Sequence, residues 1–175
     1  MLPRQRLLLA CLSAPLTLLL SGFFFGSPTW EDIDKLIGKK YPTVAHIEVE
    51  ELHAALERGE TPLLIDARAP EEYAVSHLPG AHNLTTAGEV RADKDTAIVV
   101  YCSVGVRSAI FAQALQEAGF SHVRNLRGSI FAWAEKGYPL WRGDTSADKV
   151  HPYDKKWGTL LNSDLHQYHP PAATQ

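Results

Sequence analysis

Ile98-Val99-Val100-Tyr101-Cys102-Ser103-Val104-Gly105-Val106-Arg107-Ser108 is the stretch whose reading decides the fold. Its first four residues are an apolar, mostly β-branched run, as expected of a strand buried on both faces. A sharp turn follows, with Cys102 at the strand's end and Gly105 inside the turn. Val106, Ala109, Ile110, Ala114, Leu115 and Ala118 then recur at helical spacing. Gly119 followed by Phe120 reads as a glycine stop with a hydrophobic partner. Cys102 is therefore expected between the carboxyl end of a strand and the amino end of a helix. Unpaired helical N–H groups and the helix dipole favour an anion there, be it a thiolate, a persulfide or a bound oxyanion. A thiol so placed ionises more readily and is nucleophilic at neutral pH. A cysteine alone could equally be a buried side chain that only packs; the Gly and Arg that follow this one favour chemistry.

The same alternation extends outward in both directions. Residues 44–47 read as a short strand, and Val49 to Leu56 as a helix that Gly59 stops. Pro62-Leu63-Leu64-Ile65 reads as a buried strand that delivers Asp66 and Arg68 at its carboxyl end. Pro70 opens a short helix with Glu71 and Glu72 in its first turn. A short strand follows at Ala81-His82-Asn83-Leu84, another at residues 122–126, and a helix at residues 128–136. Strands alternating with helices predict an α/β domain over residues 44–141, with an open, mainly parallel sheet of about five strands flanked by helices. Sites in such sheets lie beyond the carboxyl ends of the strands, where Asp66 and Cys102 are expected.

The rest of the 175-residue chain frames that domain. Arg4 and Arg6 precede an apolar run from Leu7 to Phe25, which as a helix would span about 28 Å, close to a hydrocarbon core. Residues 1–26 thus read as a signal peptide or a signal-anchor helix. The two arginines favour a cytoplasmic amino terminus, which predicts an exported domain on the periplasmic side, tethered to the membrane or released after cleavage. Residues 27–43 read as a linker, although Trp30, Ile33, Leu36 and Ile37 are spaced for a short interfacial helix. Residues 142–175 read as an irregular tail, without period, whose aromatics are available to wrap the domain. A net charge of −3 excludes a basic nucleic-acid footprint. Only Cys11 and Cys102 are present, so a four-cysteine metal site is excluded. With Cys11 in the apolar segment, Cys102 is the only thiol of the folded domain. His151, His166, His169 and Asp164 are too loosely spaced to predict a metal site.

Four stretches in register resemble the rhodanese-type sulfurtransferases. Cys102-Ser103-Val104-Gly105-Val106-Arg107-Ser108 is similar to their active-site loop, C-x-x-G-x-R-S. Leu64-Ile65-Asp66-Ala67-Arg68 with Glu71-Glu72-Tyr73 resembles their Asp-x-Arg…Glu-Tyr segment. His77-Leu78-Pro79-Gly80-Ala81-His82-Asn83 resembles their His-Ile-Pro-Gly-Ala-x-Asn segment, and Asn125-Leu126-Arg127-Gly128-Ser129 with Trp133 their closing Leu-x-Gly-Gly…Trp segment. Ser129 stands where a second glycine is usual and Ala67 where valine is common, departures expected to matter little.

The resemblance implies transfer of a sulfane sulfur through a Cys102 persulfide, from a small anionic donor such as thiosulfate to a thiol or cyanide, without a cofactor or metal. It makes Ser103, Val104, Gly105, Val106, Arg107 and Ser108 the substrate-binding loop, with Asp66, Arg68 and Glu72 in support. Arg107 either attracts the donor or braces the loop against an acid such as Glu72. Asp66 and Arg68 either shape the pocket wall or pair in the interior. His77, in its turn, is expected to make a structural hydrogen bond. Cysteine phosphatases use a longer loop, Cys-x₅-Arg, around a tetrahedral oxyanion. Four residues separate Cys102 from Arg107, a ring expected to be too tight for phosphate. Two other readings fit the same residues: a binding module that relays or senses sulfur or redox state with little turnover, and an accessory to an exported protein partner.

Overall fold

A computed structural model describes residues 26–171, and the apolar stretch read as a signal or anchor lies outside them. Five strands form one parallel sheet: β1 (Ala45–Ile47), β2 (Leu63–Asp66), β3 (His82–Asn83), β4 (Ile98–Tyr101) and β5 (Val123–Leu126). Their order is β1-β5-β4-β2-β3, so the strand that carries Cys102 lies at the centre. Side chains alternate along it. Val99 and Tyr101 enter a core cluster on one face, and Ile98 and Val100 a second cluster on the other. All four are buried, which is why the sequence there is apolar without interruption.

Helices cover both faces: α1 (Trp30–Lys40), α2 (Val49–Glu57), α3 (Pro70–Val75), α4 (Val106–Glu117) and α5 (Ser129–Glu135). Helix α4 ends as the glycine predicts. Gly119, at φ 90°, donates to the Gln116 carbonyl and Phe120 donates to that of Leu115, and both Phe120 and Leu115 are buried in the same cluster. Its buried stripe differs from the expected one. Ser108, Phe111, Ala112 and Leu115 are inward, whereas Ile110 and Ala114 are only half-buried. Phe111 is the largest apolar side chain of the helix, and small Ser108 and Ala112 let the helix approach the sheet beside it.

Both flanking segments depart from expectation. Residues 27–43, expected as a linker, contain α1, which packs on the core. Thr29 Oγ1 accepts the Asp32 N–H at 3.2 Å, and Asp32 accepts the Thr29 N–H at 3.3 Å, a reciprocal cap. Ile33 and Ile37 are buried against the domain, so the helix belongs to the core. Residues 142–175, expected as irregular, continue an antiparallel hairpin of β6 (Leu140–Arg142) and β7 (Thr145–Ala147). Val150 then pairs with His166, closing residues 151–165 into one loop, and Val150, Trp157 and Leu161 are buried in the main core. Among the described residues no helix is long and apolar enough to cross a membrane.

Candidate active site

Cys102 directly follows β4 and is 1% exposed. Its Sγ accepts the Gly105 N–H at 3.2 Å and the Ser108 hydroxyl at 3.5 Å. Gly105 is the N-cap of α4 at φ 109°, a conformation natural only to glycine, and this turns its N–H back onto the sulfur. Burial alone pushes the Cys102 thiol up. The Arg107 charge, the Ser108 hydroxyl and amide, and the Gly105 amide outweigh it, so the thiol lies below its ordinary range.

Arg107 is turned to Glu72 of α3. Its Nη1 donates to Glu72 Oε2 at 2.7 Å and its Nη2 to Oε1 at 2.8 Å, a two-point clamp. Nη2 also donates to Ser103 Oγ at 2.9 Å, and that hydroxyl donates to Glu72 Oε1 at 3.1 Å. Burial pushes the Glu72 carboxyl up; the Arg107 ion pair, with the Arg68 charge and the Ala69 N–H, outweighs it and holds the group below the usual carboxylate range. Backbone anchors complete the loop. Asn125 Nδ2 donates to the Gly105 carbonyl at 3.0 Å. Ile130 and Phe131, at the start of α5, donate to the carbonyls of Cys102 and Ser103. The Cys102 N–H donates to Ser129 Oγ at 3.1 Å, and Ser129 Oγ to the Leu126 carbonyl at 3.1 Å.

The family model of the rhodanese-like domain matches residues 48–136, about half the chain and all of the loop just described. The chain belongs to the rhodanese-like domain family. It is 37% identical over 103 residues to a sulfurtransferase of Allochromatium vinosum, a match that covers 55% of this chain and 94% of the relative. It is 38% identical over 99 residues to the probable adenylyltransferase/sulfurtransferase MoeZ of Mycobacterium tuberculosis, covering 53% of this chain. There the chain spans only a quarter of the relative's length. Among solved structures, the Alr3790 protein of Anabaena sp. superposes with a TM-score of 0.52 at 27% identity, over 54% of this chain and 81% of that one.

In this rhodanese-like domain the predicted residues separate into four groups. Cys102, Ser103 and Val104 of the loop, with Val106 and Arg107 of α4, line a small cavity of about 20 Å³. Gly105 and Ser108 present an N–H and a hydroxyl to the sulfur. Glu72 stands behind Arg107. Asp66 and Arg68 do not reach the cavity: both are fully buried, and Arg68 donates to both Asp66 carboxylate oxygens and to the Ser76 carbonyl, which ties the end of β2 to the end of α3. His77 turns Nδ1 to the Leu78 carbonyl at 3.0 Å and stacks on Tyr73, so it too is away from the sulfur. His151 accepts the Tyr153 N–H through Nδ1, and His166 turns Nε2 to the carbonyls of Gly158 and Leu161. Among the described residues no three metal-ligating side chains converge.

Four residues of the site are missed by the sequence reading. Asn125 and Ser129 act on the loop from β5 and α5. Asn125 follows Arg124 in β5, so polarity alone does not single it out, and nothing short of backbone geometry signals Ser129. Tyr153 and Trp157 reach the cavity from the tail, where no periodicity marks them.

Proposed function

We propose that this chain transfers sulfane sulfur through a persulfide on Cys102. The observation that carries the reading is the sulfur's setting. A thiol lowered toward its thiolate receives two donors at a helix N-terminus, beside a cavity sized for about one more atom of that kind. The sulfurtransferase names of the Allochromatium and mycobacterial relatives support the same reaction class.

In the proposed cycle the Cys102 thiolate attacks the outer sulfur of a donor such as thiosulfate. The Sγ–S bond forms, the donor's S–S bond breaks, and sulfite leaves with the electron pair. The Gly105 amide and the Ser108 hydroxyl hold the resulting persulfide anion. A thiolate, or cyanide in an assay, then attacks the outer sulfur and restores the Cys102 thiolate. Two half-reactions sharing one covalent intermediate give ping-pong kinetics. Arg107 acts through position: clamped to Glu72, it lends charge to the sulfur and fixes the loop. The cycle needs no metal or cofactor, and the short loop disfavours phosphate esters. We also propose, from Arg4 and Arg6 ahead of the apolar run Leu7 to Phe25, that residues 1–26 hold or export the domain on the periplasmic side, with a thiol or an exported protein as acceptor.

Incubation with thiosulfate should add one sulfur to the intact protein, and cyanide should remove it as thiocyanate, both read by mass spectrometry. Cys102→Ser should abolish uptake while the fold is retained. A wild-type protein that gains the sulfur neither from thiosulfate nor from an organic hydropersulfide would refute the transferase reading. Loading without catalytic turnover would favour the relay or sensing module.

A further inference from the structure

Two of the residues that line the Cys102 cavity come from the tail, Tyr153 and Trp157. The tail loop is built to hold them there. The Val150 pairing with His166 closes it, and Val150, Trp157 and Leu161 root it in the core shared with β4. The Trp157 N–H is held by Asp154 Oδ1 at 2.8 Å. Tyr153 adopts φ 67°, uncommon for a non-glycine residue, with its N–H fixed on His151 Nδ1 at 3.1 Å. Backbones in such regions persist where the surroundings impose them, and they concentrate at ligand clamps. This one sets the Tyr153 ring over the Arg107 guanidinium, 4.8 Å from the ring centroid.

The resulting cavity has a defined chemistry. Beside Cys102 its walls are Ser103, Val104, Val106 and the two aromatic rings, and among the described residues its only cation, Arg107, is already paired with Glu72. A dianion entering here would shed its water and have to share the Arg107 guanidinium with the Glu72 carboxylate and the Cys102 thiolate. A neutral, narrow sulfur group loses little on entry past the aromatic rings.

We propose that Tyr153 and Trp157 are specificity-determining residues of the sulfur-loading step, selecting an organic hydropersulfide, R–S–S–H, over a dianionic donor such as thiosulfate. The proposal rests on the persulfide-transfer reading above and names its donor class. The Cys102 thiolate attacks the terminal sulfur of R–S–S–H. The bond from Sγ to that sulfur forms, the donor's S–S bond breaks, and R–S⁻ leaves with the electron pair. The proton of the terminal S–H passes to R–S⁻, which leaves as R–SH, and the Cys102 persulfide anion rests on Gly105 and Ser108. No oxidant is consumed. Only the terminal sulfur enters the cavity, while R stays at the mouth against the rings.

The test compares the rate of sulfur uptake by the full chain from 2-hydroxyethyl hydropersulfide and from thiosulfate, followed by intact mass. Two variants are chosen to fold: Tyr153→Gly suits the left-handed backbone, and Trp157→Phe keeps an aromatic ring in the core. Wild type should load faster from the hydropersulfide, and each variant should move the ratio of the two rates toward thiosulfate by about tenfold, the discrimination a small change in a pocket wall supports. Faster loading of wild type from thiosulfate overturns the proposal but leaves persulfide transfer standing. An unchanged ratio in either variant overturns that residue's assignment. Loading from neither donor overturns the transferase reading and this proposal together.

Discussion

At position 129 a serine holds φ at 50°, where an L side chain costs about 1–2 kcal/mol. Two hydrogen bonds offset that cost, one accepted from the Cys102 N–H and one donated to the Leu126 carbonyl. The departure from glycine that the sequence reading treated as minor therefore supplies the partner of the Cys102 amide. Ser129→Ala keeps the strained backbone and strands that buried N–H, so it should cost about 1–3 kcal/mol in urea unfolding. Ser129→Gly should cost less, because it relieves φ while losing the same bond. An alanine variant as stable as wild type would show that the N–H finds another partner. The Cys102 sulfur yields a second residue-scale prediction. Its alkylation by iodoacetamide follows the thiolate, so the rate should rise with pH around a midpoint below the usual thiol value of about 8.5. Ser108→Ala removes a donor to the thiolate and should move the midpoint up; an unmoved midpoint would remove Ser108 from the sulfur's stabilisation.

Between elements, the Glu72–Arg107 clamp fastens α3 to the first turn of α4, and with it the loop. Both side chains are largely buried, so removing one charge strands the other. Glu72→Gln should lower stability by about 3–5 kcal/mol and slow sulfur loading, since the loop loses its brace. Helix α1 makes a different claim on the core: Ile33→Ala should cost about 2–5 kcal/mol if the helix is integral, and nearly nothing if it were a linker. These two elements also mark what the sequence discloses. The clamp was legible as one of two roles for Arg107, because Glu72 and Arg107 each sit in a recognisable segment and an arginine in a tight loop can turn back to an acid of the scaffold. Strands β2 and β4 were legible because central parallel strands buried on both faces must be apolar runs, whereas β1, β3 and β5, which carry His46, His82, Asn83, Arg124 and Asn125, were legible only through their alternation with helices. Helix α1 carried its signals too, in Thr29 with Asp32 and in Ile33 with Ile37, but they lie next to an apolar segment that drew the reading toward the membrane. The tail loop was not legible. Its order comes from single contacts such as Val150 with His166 and Trp157 with the core, which have no period.

For the molecule as a whole, the site is a place where folding and ionisation are linked. Strand β4 at the sheet's centre, α4 behind it and the tail loop above it bury a thiol and a carboxylate, yet hold both on the charged side of their ordinary values. A group whose folded pKa is depressed contributes stability that is fully present above its unfolded value and is lost as pH falls through its folded value. For Cys102 the contribution is complete above about 8.5, the unfolded thiol value, and fades as pH drops through its lower folded one. For Glu72 it is complete above about 4.3 and fades below the usual carboxylate range, leaving Arg107 charged and unpaired in the interior. Wild-type stability should therefore rise with pH toward about 8.5 relative to Cys102→Ser, and the difference should level off beyond it. In acid the loss should be steep for wild type and shallow for Glu72→Gln, which has already given up that ion pair. Urea midpoints measured across the pH range for the three proteins decide the matter. A flat difference between wild type and Cys102→Ser would mean that the fold does not hold Cys102 as a thiolate, and the nucleophile would then have to be generated only when a donor arrives.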